Sequence, residues 1–297
     1  MNEEWKVQFP VNFGYLPLES CRYDGSRVAI LPVPYDSTAS FRTGAREGPQ
    51  AILRASESIE VFDHETGTDL VKVGVATLPP PILDRGNPEH MVDEVAAKVR
   101  RISGDGKFPV LLGGEHTVTL GAIRALATDE TPFTILQVDA HLGLRDSFDG
   151  TRHCHACVMR RIIESFPSCR LVQVATRSVS AQEAAYLEET DIHPFYMERV
   201  RALGPGFIDK VMQDLGESVY LTLDLDGLDP AWMPAVGNPE PGGLGYYELM
   251  GLLRSLCSHK RVLGADIVGL NPIPGEFRSE AAVAKILLKL IAWLFRE

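Results

Sequence analysis

The chain has 297 residues, 45% of them hydrophobic, with 40 acidic side chains against 29 Lys and Arg and a formal charge of −11 at pH 7. That balance argues against a nucleic-acid partner and suits a small cationic one. No stretch approaches the roughly 18 continuous apolar residues that span a bilayer, and the acidic start Met1-Asn2-Glu3-Glu4-Trp5 has no apolar signal region. No membrane association is expected, and the cytoplasm is the expected compartment.

Residues 1–26 read as a loop-rich arm, and RVAILP at 27–32 is the first buried strand. Asp36 to Gly48 is polar and contains glycine, which predicts a long loop. Gly48-Pro49 then opens a helix, with proline where its missing N–H costs least. Val71 to Val75 is a short strand candidate, and Leu78-Pro79-Pro80-Pro81 ends it in a turn. Met91, Val92, Val95, Ala96, Val99 and Ile102 give 88–102 a helical period. A strand at 108–112 and a helix at 117–126 follow, and then a strand ending at Val138.

Beyond the centre, 170–175, 219–224 and 261–268 predict strands, and 181–189, 206–215 and 246–257 predict helices. Ser279 is the expected cap of the last helix, with Glu280 in its first turn. Strand–helix–strand order at this spacing predicts parallel pairing with right-handed crossovers. The expected fold class is therefore α/β. Three layers are expected, with a single mostly parallel sheet of about eight strands between helices and one domain over 1–297.

Three of the apolar strands stop at groups suited to metals. Phe133 to Val138 runs into Asp139-Ala140-His141, Val110 to Leu112 into Gly113-Gly114-Glu115-His116, and Val219 to Leu223 into Asp224-Leu225-Asp226. The carboxyl ends of strands are where open α/β sheets place their sites. An Asp–His hydrogen bond tying down a loop would explain one pair alone. Buried carboxylates are costly unless paired or bound to a cation. Several together repel one another, which a divalent cation relieves, so the three together point to a metal site. The five cysteines, Cys21, Cys154, Cys157, Cys169 and Cys257, do not form a disulfide framework. Cys154-x-x-Cys157 lacks the second ligand pair of a zinc knuckle, and structural thiols are expected there even with Arg152, Arg160 and Arg161 nearby.

These motifs resemble those of the ureohydrolase family of arginases and agmatinases. GGEHT at 113–117, DAH at 139–141 and LDLDGLDP at 223–230 are similar to its three metal motifs. PYDSTASFRTGAREGP at 34–49, NPEPGG at 238–243 and Asn271-Pro272 are similar to its other conserved segments, in the same order. The resemblance implies an arginase-like fold and two manganese ions. One ion would be held by His116 and the other by His141 and Asp226, with Asp139 and Asp224 bridging. It implies agmatine-type chemistry, agmatine to putrescine and urea, because the residues that hold an amino-acid head group in arginases are not evident between Leu144 and His155. It also implies a homo-oligomer, a trimer or hexamer. Divalent ions supply what the chemistry needs, a water whose pKa falls from about 16 towards neutrality. His155 matches the family's proton-transfer histidine; a supporting or surface role is its alternative. Glu240 faces a cationic substrate on this reading, although Pro239 and Pro241 equally suit a turn.

The sequence departs from the pattern at two carboxylates. Gly143 stands where relatives have a metal-binding Asp, so the ion at His116 is expected to be weakened, by an amount on the order of several kcal/mol. Gly269 stands where relatives have the Glu that grips the guanidinium, a loss of about 2–5 kcal/mol. Asp146, three residues on, substitutes for the first only where the local helix or loop geometry brings it in. Asp and Glu are one base away from Gly, so restoring both is expected to need no remodelling and to revive turnover. Two alternatives follow from these losses. One is a single-metal hydrolase of amides or imines resembling the deacetylases, and the other is a non-catalytic paralogue.

Overall fold

The structure is a computed structural model and describes residues 11–127 and 133–296. The first ten residues of the expected arm lie outside the described residues, and 11–26 form short 3-10 turns joined by loops. The strands are β1 (Val28–Val33), β2 (Phe62–Asp63), β3 (Thr68–Asp69), β4 (Val75–Thr77), β5 (Phe108–Gly113), β6 (Thr134–Val138), β7 (Arg170–Thr176), β8 (Phe195–Tyr196), β9 (Ser218–Asp224) and β10 (Arg261–Val268). The helices are α1 (Gly48–Ala55), α2 (Leu70–Val73), α3 (Pro88–Gly104), α4 (Val118–Leu126), α5 (Val158–Ser165), α6 (Ala181–Glu188), α7 (Met197–Leu203), α8 (Phe207–Asp214), α9 (Tyr246–His259) and α10 (Arg278–Leu294).

Eight strands form one sheet in the order β4-β1-β5-β10-β9-β6-β7-β8. Every pairing in it is parallel. Strands covered on both faces read as continuous apolar runs rather than as alternating ones. β1 shows this: Val28 and Ile30 join the core on one face, and Ala29, Leu31 and Val33 the core on the other. Ile52 of α1, Leu253 of α9 and Leu287 of α10 fill the first core, and Val95 of α3, Ile123 of α4 and Met159 of α5 the second.

Two local expectations are corrected. The strand expected at 71–75 is split, because Asp69 accepts the Val71 N–H and caps the turn of α2, and Gly74 at φ 73° turns the chain into β4. Ser279 does not cap α10; it is buried in the first turn. Glu276 does that work, accepting the backbone N–H groups of Arg278 and Ser279. The β2–β3 ribbon, β8 and α7 carry too short a pattern to be seen beforehand.

The sheet brings the functional strand ends together. β5, β10, β9 and β6 are neighbours. Leu112 pairs with Ile267, Val268 with Asp224, and Leu223 with Val138. Their carboxyl ends are thus level along one edge, and the loops that follow meet there.

Candidate metal centre

His116, Asp139 and Asp224 form one group, and Asp139, His141 and Asp226 another; within each, the donor atoms lie inside 4.8 Å of one another. His116 Nδ1 is 2.9 Å from Asp139 Oδ2 and 3.3 Å from Asp224 Oδ2. His141 Nδ1 is 3.5 Å from Asp139 Oδ1 and 3.0 Å from Asp226 Oδ2. Asp139 belongs to both groups and turns one oxygen to each histidine.

The backbone fixes these carboxylates. Asp139 Oδ1 accepts the His141 N–H at 2.6 Å, and Asp139 Oδ2 accepts from Gln137 Nε2 at 2.6 Å. Asp226 Oδ1 accepts the Ala140 N–H and Asp224 Oδ1 the Asp226 N–H, both at 3.1 Å. Gly227 admits this close approach: a β-carbon there would come within 2.8 Å of the Asp139 nitrogen. Behind His116, Nε2 lies 2.8 Å from Thr222 Oγ1. Thr222 donates to Asp266 Oδ1 at 2.7 Å, and Tyr220 to Asp266 Oδ2 at 2.8 Å.

The electrostatics are those of a crowded, buried acidic cluster. Burial opposes a charge on His116, but the hydrogen bonds it donates to Asp139 and Asp224 prevail and hold its pKa well above the ordinary value. Burial works the same way on His141, and Asp226 and Asp139 lift it to about 11. Burial and then its neighbours Asp224 and Asp139 raise Asp226 to about 8. Burial also raises Asp139, but His116 and His141 overcome it and leave Asp139 below the usual carboxylate range. Asp266, with no exposed surface, is raised by burial against the pull of His116, Thr222 and Tyr220. Positive charge on the two imidazoles is thus favoured by the carboxylates around them. Carboxylate oxygen and imidazole nitrogen, with no thiolate, form a donor set that suits manganese, and the two groups sharing Asp139 fit a pair of divalent ions.

A cavity of about 200 Å³ opens over the cluster, lined by all five of these residues together with Ser40, Gly143, Arg145, Phe148, His155, Ser178, Ser180, Glu183 and Asn238. His155 stands in its wall, Nε2 3.1 Å from Ser40 Oγ and Nδ1 3.6 Å from Glu115 Oε2. Glu240 Oε1 lies 3.9 Å from His141 Nε2. The loop at 36–48 lies across this end. Thr38 gives both its N–H and its hydroxyl to Glu115 Oε1, and the Asn271 amide holds the carbonyls of Arg42 and Thr43.

The geometry corrects two expectations about the missing carboxylates. Asp146 does not reach the cluster; Arg152 and Arg161 each hold its Oδ1 at 2.9 Å. The two glycines also differ in what they allow. Gly143 has φ +65°, and a β-carbon there would meet Val158 Cγ1 at 3.3 Å. Gly269 has φ +86°, and a β-carbon there would lie 2.2 Å from Asp224 Oδ1. A carboxylate side chain at 269 therefore requires Asp224 to move. Sequence reasoning also missed Thr222, Asp266, Glu115, Arg145, Glu183 and Asn238. For Asp266 there was a signal, a lone acid in the middle of the apolar run RVLGADIV.

Comparison with known proteins agrees with this geometry. The model of the arginase family matches residues 26–292. An N(1)-aminopropylagmatine ureohydrolase of Synechocystis is 40% identical over 280 residues, covering 91% of this chain and 90% of the relative. An agmatinase of Pyrococcus horikoshii is 32% identical over 267 residues, covering 88% and 90%. The crystal structure of an agmatine ureohydrolase of Thermoplasma volcanium superimposes with a TM-score of 0.86 at 31% identity, covering 98% of this chain and 96% of that one. The chain belongs to the arginase family, among its agmatinase-type ureohydrolases, which are hydrolases of carbon–nitrogen bonds.

Proposed function

We propose that the protein is a manganese-dependent hydrolase of a small cationic guanidino compound, with agmatine, split to putrescine and urea, as the first substrate to test. The observation that carries this reading is the pair of His/Asp groups sharing Asp139 beneath an open cavity. His116, Asp139 and Asp224 would hold one ion, and Asp139, His141 and Asp226 the other. Bound there, the ions supply a nucleophile at neutral pH and an electrophilic contact. The chain's own groups do the rest. His155, braced by Ser40 and backed by Glu115, is placed to move a proton at the leaving amine through Nε2. Asn238 and Glu240 flank His141 at the wall where a cation arrives.

Gly143 and Gly269 make this a slow enzyme on the same reading. The first removes a donor beside the His116 group, and the second removes the carboxylate that, by resemblance, grips the guanidinium. We further place the protein in the cytoplasm as a homo-oligomer, trimeric or hexameric, and as one domain. Among the described residues, no helix is long and apolar enough to cross a membrane. The intact Asp139–His141–Asp226 group favours a second reading, a single-ion hydrolase of amides or imines. Urea release from agmatine by the manganese-loaded chain separates the two. Slow release that Asp139→Asn abolishes supports the guanidino reading. No release, together with hydrolysis of a formimino or acetylated amine, supports the second.

A further inference from the structure

We propose that Asp266 and Thr222 are positioning residues that set which nitrogen of His116 is free to bind a cation, and that the two ions of the site therefore differ in how firmly their histidines are prepared. The proposal rests on the metal reading above and goes beyond it, because neither residue touches the cavity.

The argument starts from the number of protons available. Thr222 has one hydroxyl hydrogen, and it donates to Asp266 Oδ1 at 2.7 Å. Tyr220 donates its only hydroxyl hydrogen to Asp266 Oδ2 at 2.8 Å. Both hydroxyl hydrogens are spent on Asp266, whose two oxygens act as acceptors here. Thr222 Oγ1 is left to accept, and His116 Nε2 lies 2.8 Å from it. A neutral His116 then carries its proton on Nε2. Its Nδ1 lone pair faces Asp139 and Asp224, 2.9 and 3.3 Å away. Asp266, Thr222, Tyr220 and His116 are all buried, with 0%, 0%, 0% and 4% exposure, so water does not compete for these bonds.

His141 has no such chain behind it. Its Nε2 meets Asn238 Nδ2 at 2.9 Å and Glu240 Oε1 at 3.9 Å, on the exposed side of the site. An amide can turn either end to the ring, so it imposes no fixed tautomer. A ligating histidine whose other nitrogen is fixed by a carboxylate or its relay is a stronger and better aimed donor, and losing such a partner typically costs about 10–100-fold in metal affinity. His116 belongs to the group that Gly143 leaves short of a donor. The buried relay firms up the histidine on that side of the site.

The test titrates manganese into the full-length chain by calorimetry, comparing wild type, Thr222→Val, Thr222→Ser and Asp266→Asn. Thr222→Val keeps the volume and removes the relay; one of the two binding events is expected to weaken by about 10–100-fold while the other stays unchanged. Thr222→Ser restores the hydroxyl and is expected to restore that event. Asp266→Asn keeps the shape but not the charge and is expected to weaken the same event less. Two wild-type affinities in Thr222→Val, equal losses at both events, or no recovery in Thr222→Ser would each overturn the proposal. A wild type that binds no manganese would instead overturn the metal reading on which it stands.

Discussion

Asp224 Oδ1 occupies the place where a β-carbon of residue 269 would stand, 2.2 Å from the ideal position. Gly269 and this pose of Asp224 therefore depend on each other. Gly269 also holds φ +86°, a region that L side chains rarely adopt. Gly269→Ala is expected to lower stability by about 1–3 kcal/mol, from backbone strain and overpacking together, and to loosen manganese by displacing Asp224. Thermal unfolding of metal-free and metal-loaded protein reads both effects. Gly269→Glu is expected to give no recovery of turnover by itself.

Gly143 behaves differently. Its φ of +65° is one that Asp tolerates better than most residues, and the nearest atom to a new β-carbon is a flexible valine methyl 3.3 Å away. Gly143→Asp is expected to fold with a cost of about 1 kcal/mol and to tighten one manganese ion by tenfold or more, about 1.4 kcal/mol. Metal titration checks this. An unchanged affinity would mean that the new carboxylate does not face the cluster.

Metal binding should be coupled to protons. In the free protein His116 is held well above its ordinary value, His141 at about 11 and Asp226 at about 8, so all three favour their protonated forms at neutral pH. A cation needs neutral imidazoles and ionised carboxylates. Binding therefore releases protons, and affinity rises with pH across the range below those values. Calorimetry at pH 7 in buffers of different ionisation enthalpy is expected to show about one proton or more released per ion. Release of none would contradict the assignment of these groups as ligands.

His155 lies in the cavity wall and outside both His/Asp groups. His155→Gln is expected to leave manganese content unchanged and to reduce turnover by about 100-fold or more, the usual contribution of a positioned acid–base group. Equal loss of metal and activity would assign it to the metal shell instead.

Arg145 stacks over Phe148 at 4.7 Å and brings its Nε within 3.9 Å of Glu183 in the cavity wall. On the guanidino reading, a cationic substrate in this cavity meets the charge of Arg145. Arg145→Gln is expected to lower KM for agmatine by about two- to tenfold, at most about 1.4 kcal/mol for a partly solvated charge, with little change in kcat. Steady-state kinetics over substrate concentration tests this. A higher KM would show that Arg145 helps to hold the substrate.

The convergence of the His/Asp groups was legible in the sequence because its chemistry and its fold use one signal. Asp139, His141, Asp224 and Asp226 stand at the ends of apolar strands, and parallel sheets align such ends. His116 was legible for the same reason. Thr222 and Asp266 were not, since their role depends on which strands are neighbours, and β9 and β10 become adjacent only through the sheet order. The failure at residue 269 has a similar cause. A codon change looks harmless until the space beside the backbone is known, and Asp224 fills that space. Ser279 was misread because Ser caps helices often, whereas the cap here comes from Glu276, outside the helix.

Manganese content per chain tests the account most directly, measured after loading and desalting for wild type and for Asp139→Asn. Sharing of Asp139 by both groups predicts close to two ions in the wild type, one of them readily lost, and almost none in the variant. A variant that keeps its metal, or a wild type that takes up none, would contradict it.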